Sequence, residues 1–98
     1  MIEYKFKEEK EIVLHYAKLL NDQIALEILN RNDVASAEDV KDLAKFYWDM
    51  VDLNVKESQS GNEAFGDIEK WLERIYTSFH IYLNNIGYGD VWFDAIPE

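Results

Sequence analysis

The sequence predicts an all-α fold, a small three- or four-helix bundle, with either a short terminal strand or an extended aromatic C-terminal tail at its ends. Three observations carry this. Apolar residues recur at three- and four-residue steps over most of the 98 residues, the period that lines one face of a helix. Glycine and the single proline are confined to residues 61–98, so nothing breaks the earlier periodic runs. And 48% of the chain is apolar, including three Trp, six Tyr and five Phe, enough large rings for one core without disulfides or metal. A chain of this length makes one domain, read as residues 1–98.

Residues Ile2 to Phe6 alternate apolar and charged side chains, a strand-like period, before Glu8-Glu9-Lys10-Glu11 turns the preference to helix. Either a brief strand or a frayed first turn fits, with helix from about Glu8. Val13, Tyr16, Ala17, Leu20, Ile24 and Ile28 then mark one helical face. Asn21-Asp22 offers a fresh cap inside that run, so one long helix and two short ones both fit. Arg31-Asn32-Asp33 reads as a turn. Ser36 followed by Glu38 and Asp39 is an N-terminal signature, acids lying near the positive end of the helix dipole. Val40, Leu43, Ala44, Tyr47, Met50 and Val51 form the buried stripe of the next helix, which should end near Leu53 or Val55. Lys56 to Glu63 reads as a surface loop, with Phe65 packing back onto the core. Asp67 caps the last long helix, whose stripe is Ile68, Trp71, Leu72, Ile75, Phe79, Tyr82, Leu83 and Ile86, and Gly87 suits its left-handed end. In the tail, Val91-Trp92-Phe93 would either pair with residues 2–6 as a strand or lie across the bundle.

Charge narrows the function classes. Twenty acidic and ten basic side chains give a net charge of −10, and the excess lies in residues 33–98, with fourteen acids against five bases. Such a field repels phosphate backbones and anionic lipids and attracts cationic surfaces, so neither nucleic acid nor membrane is expected as a partner, and a basic protein is. No stretch has the length and apolarity of a signal peptide or a membrane span. Together with the lack of cysteine, this predicts a cytoplasmic protein.

Opposite the second stripe lie Glu38, Asp42, Asp49 and Asp52, a carboxylate ridge of roughly 20 Å at helical rise, interrupted only by Lys45. Phe46 and Trp48 flank the stripe roughly 80–120° from its centre. Aromatic rings beside an acidic ridge have the composition of a protein interface. The candidate partner-binding residues are therefore Glu38, Asp42, Asp49, Asp52, Phe46, Trp48 and Trp92. The same wide apolar face would also serve a homodimer or a larger homo-oligomeric assembly. Two histidines without cysteine do not make a structural zinc site. There is no Asp-rich calcium loop, phosphate-binding loop or nucleophile motif, so no metal, cofactor or catalytic residue is assigned from the residues themselves. In composition, immunity proteins, antitoxins and phage-encoded nuclease inhibitors are alike: small, acidic and helical. The leading expectation is an acidic inhibitor of a basic partner.

One stretch has a family likeness. Arg74-Ile75-Tyr76-Thr77-Ser78-Phe79-His80-Ile81-Tyr82 resembles the pattern of HEPN ribonucleases, an Arg followed by four to six residues and a His, with the Tyr two positions later that antitoxin-linked members carry. It covers nine residues, and Ile75 stands where a polar residue is usual. The resemblance implies an all-helical dimer in which Arg74 and His80 belong to an RNase site at the interface.

Overall fold

The structure, a computed structural model, describes residues 1–59 and 65–95. It is all-α: α1 (Lys7–Leu19), α2 (Gln23–Arg31), α3 (Ala37–Gln59), α4 (Phe65–Asn85) and the short α5 (Gly89–Asp94). Among the described residues there is no strand, and no helix is long and apolar enough to cross a membrane.

The first periodic run is two helices, not one. Asn21 adopts a left-handed conformation (φ 54°), and the N–H groups of Asn21 and Asp22 donate back to the carbonyls of Lys18 and Ala17. This paired closure satisfies the last carbonyls of α1. Asp22 then caps α2, its carboxylate accepting from the Ala25 N–H at 3.0 Å. The break resets the helical phase. Ala25, Ile28 and Leu29 face inward on α2, while Ile24 is 56% exposed, which corrects its place in the buried stripe. Asn32 ends α2 in the same left-handed way (φ 59°). Its carbonyl also accepts from the Ile2 N–H at 2.8 Å, so residues 2–6 run extended against the bundle without joining a sheet.

Helix α3 is the hub, packing against α2, α4 and α5. Ser36 accepts from the Asp39 N–H, while the Asp39 carboxylate receives the Ala35 N–H and the Arg31 guanidinium at 2.9 and 2.6 Å. With three neighbours, α3 buries more than a single stripe: Val40, Leu43, Ala44, Phe46, Tyr47 and Met50 are all in the core. The helix also runs to Gln59, beyond the expected end near Val55, because Lys56 to Gln59 contain no residue that opposes helix. The remainder of the expected loop and the side chain of Phe65 lie outside the described residues, and Asp67 is not the expected cap, because α4 already begins at Phe65.

Helix α4 begins at Phe65 and closes with the same paired pattern as α1. The Gly87 and Tyr88 N–H groups donate to the Asn84 and Leu83 carbonyls, and Gly87 supplies the left-handed φ of 90°. Of the two expectations for residues 91–93, the strand is overturned and the segment lying across the bundle holds, packed on α3 and α4. Residues Gly89–Asp94 form α5, neither a strand nor an extended segment, and this turn of helix delivers Trp92 fully into the core. Its indole lies 5.4 Å from Tyr76, 6.1 Å from Phe79 and 6.2 Å from Tyr47, centroid to centroid.

Three core-facing tyrosines set an alkaline limit on this fold. Burial pushes the Tyr47 hydroxyl up to about 12, with Tyr76 and Glu73 adding to it. Burial also raises Tyr82, where Asp33 adds, and Tyr4, where Glu9 adds. A phenol held neutral in the fold but free to ionise near 10 when unfolded contributes stability that is complete below pH 10. That stability is lost as pH rises toward the folded values. Stability should therefore be indifferent to these groups up to about pH 9 and fall steeply above about pH 10, with unfolding and phenolate absorbance rising together. Phenolate absorbance equal to all six tyrosines near pH 10, while the helical signal stays intact, would show that these three phenols are not protected by the fold.

Candidate functional site

The α3 and α4 helices meet along an open cleft of about 460 Å³ lined by Tyr47, Trp48, Glu73, Tyr76 and Thr77. Glu73, Tyr76 and Thr77 are spaced three and four residues apart on α4 and share one ridge. From α3, Tyr47 anchors the floor, its hydroxyl donating to the Leu72 carbonyl at 3.1 Å while only 5% of the residue stays exposed. Trp48 stands nearly perpendicular to it (82°, centroids 5.1 Å apart), and Tyr76 leans across at 54° and 5.5 Å. Trp48 is half-buried; its Nε1 lies inside the protein without an acceptor. Glu73 is exposed and makes no ion pair among the described residues.

The carboxylate ridge runs from this cleft along α3. Asp52 is exposed and sits one turn beyond Trp48, and Asp49 is half-buried beside it. At the other end Glu38 is exposed, with Lys41 at 3.7 Å. Asp42 is the strained member. Partial burial, then the carboxylates of Glu38, Asp39 and Asp22, raise its carboxyl above the usual range, and Lys45 offsets part of this. The influence of Asp22 shows that the acidic surface continues onto the start of α2. Flanking Asp22 in sequence, Leu19 and Ile24 are more than half exposed.

Of the candidate residues, Glu38, Asp42, Asp49, Asp52 and Trp48 thus reach the surface of one helix. Phe46 and Trp92 do not, and their assignment as partner contacts is corrected: both are fully buried. Three neighbouring helices leave no free side of α3 at Phe46, and α5 carries Trp92 inward. Arg74 and His80 also part company. Six residues apart, they point about 120° from each other around the helix. The Arg74 guanidinium lies over Phe6 and Trp71 at 5.1 and 4.9 Å, whereas His80 packs against Phe93 and parallel to Tyr76. Within one chain they form no joint site.

Tyr76, Glu73 and Leu19 were not among the candidate residues read from the sequence, and Ile24 was read as buried. Tyr76 and Glu73 carried a usable signal, an aromatic and an acid three residues apart just outside the α4 stripe. Leu19 and Ile24 could be placed only once the break at Asn21 was known. Among the described residues no group of three or more His, Asp or Glu side chains is placed to hold a metal ion. Compared with protein-family models, curated proteins and solved structures, the chain matches none.

Proposed function

We propose that the protein is a small acidic binding protein that neutralises a basic partner, such as a nuclease, toxin or nucleic-acid-binding protein, by covering its cationic surface. The observation that carries this reading is the α3 carboxylate ridge ending at an open aromatic cleft. Rigid acids steer a cationic surface toward the face, and partly exposed rings supply the anchoring contacts that charge alone does not. Leu19 and Ile24 beside Asp22 add apolar area at the far end, taking the role first given to Phe46 and Trp92.

The test begins with salt-graded elution of proteins retained on the immobilised chain, followed by kinetics with the purified basic protein obtained. The double variant Asp49→Lys/Asp52→Lys is expected to slow association by about tenfold or more at low salt and to flatten its salt dependence. Both positions lie outside the core, so the variant should keep its helical spectrum. An unchanged association rate would remove the acidic face from recognition.

A further inference from the structure

We infer that a helix of the basic partner docks along α4, its apolar side on a row of rings running from Trp48 and Tyr76 past His80 to Phe93. Its Lys and Arg side chains meet the acids around that row. This rests on the preceding reading and deepens it by naming the partner's segment: a basic amphipathic helix.

The row is continuous across three helices. Trp48 and Tyr76 line the α3–α4 cleft together. Tyr76 and His80, one turn apart on α4, lie parallel (6°) with centroids 6.3 Å apart, and His80 meets the α5 residue Phe93 edge-on at 4.9 Å. Trp48, Tyr76 and His80 are half-buried, and Phe93 is 53% exposed. Each ring keeps an open side while its neighbours hold it in place, the condition for an anchoring contact.

Spacing selects a helix. The step from Tyr76 to His80 is that of positions i and i+4. Phe93 then lies within about 11 Å of Tyr76, the reach of positions i and i+7 at 1.5 Å per residue. A ridge of that period packs against the side-chain ridge of another helix. Charge selects the composition of that helix. Glu69 and Glu73 are exposed on the same side of α4 as Tyr76, Asp49 follows Trp48 on α3, and Asp90 and Asp94 flank Phe93 on α5. From Ile75 to Ala95 there is no Lys or Arg, and Lys41 already has Glu38 at 3.7 Å, which leaves Lys45 as the nearest unpaired base on α3 among the described residues. A second copy of this chain would bring two such acidic rims together, which like charges oppose, whereas a cationic helix complements the rim.

The experiment titrates three labelled synthetic peptides with the full chain, followed by fluorescence anisotropy. The first carries Leu at i, i+3, i+4 and i+7 with Lys elsewhere. The second has the same composition in scrambled order, and the third keeps the first pattern with Glu in place of Lys. The first should bind at least about tenfold more tightly than the second, and the third should not bind. Phe93→Ala should weaken the first about fivefold or more, and Phe93→Leu should restore most of that loss. Ile81→Ser, at an equally exposed apolar residue (54%) on another side of α4, should change nothing. Equal binding of ordered and scrambled peptides, no loss in Phe93→Ala, or an equal loss in Ile81→Ser would each overturn the docking row. So would a dimer of the chain itself that Phe93→Ala dissolves. Peptide binding lost in Asp49→Lys/Asp52→Lys but indifferent to Phe93→Ala would keep the acidic face and discard the row. Binding lost in Phe93→Ala but indifferent to the acidic double variant would keep the row and discard the α3 acids.

Discussion

Replacing Trp92 with alanine is expected to destabilise the protein by about 3–5 kcal/mol, a large part of the roughly 5–15 kcal/mol that holds a typical domain together. Trp92 is completely enclosed, and its ring meets Tyr76, Phe79 and Tyr47 from α4 and α3. The six residues of α5 are too few to hold a helix by backbone bonding alone, so the indole is what docks them. Its Nε1 lacks an acceptor, so the contribution is packing rather than hydrogen bonding. Urea unfolding followed by far-UV circular dichroism measures the loss directly. A loss under about 1 kcal/mol, the scale of ordinary surface changes, would mean that the indole is not in the core.

The second large effect concerns a carboxylate where an apolar side chain would be expected. Glu9, on α1, is fully buried. One of its oxygens accepts the Ser78 hydroxyl at 2.7 Å; the other has no partner. The same hydroxyl receives the Lys5 N–H at 3.3 Å, so Ser78 ties both the N-terminal segment and α1 to α4. Ser78→Ala should cost about 1.5–3 kcal/mol, because it strips the last bond from a buried carboxyl group. Adding Glu9→Met, which keeps an unbranched side chain of similar length, should restore most of that loss, since removing both polar partners leaves nothing unsatisfied. A double-mutant cycle in urea decides the matter. If the double variant is as unstable as the two single losses summed, the two side chains are not coupled.

Much of this fold could be read in advance, because α3 and α4 carry period and caps on the surface of the sequence. Ser36 and Gly87 act where their types suggest. What could not be read was set by tertiary neighbours. Phe46 sits off the main stripe, and only the arrival of a third neighbour on α3 encloses it. Residues 91–93 are β-prone as a string, yet the space beside Tyr76 and Phe79 accepts an indole only from a helical turn. Glu9 falls in a run of charges that looks wholly solvated; its burial follows from Ser78, which is 69 positions away. The acidic half of the candidate site was visible as spacing along one helix. Of its aromatic half only Trp48 was, because Tyr47 reads as plain core and Tyr76 lies on a different helix.

The docking of α5 behind Tyr76 has a consequence for synthesis. Chains are made N-terminus first, so the residues of α1 to α4 are all joined before Trp92 is added. Until then Tyr76 lacks the Trp92 indole 5.4 Å away, and the cleft it shares with Tyr47 and Trp48 lacks that part of its backing. The surface that would receive a partner is therefore completed only once residue 92 has been made and docked, and a nascent chain stopped short of it would display the acids without the formed cleft.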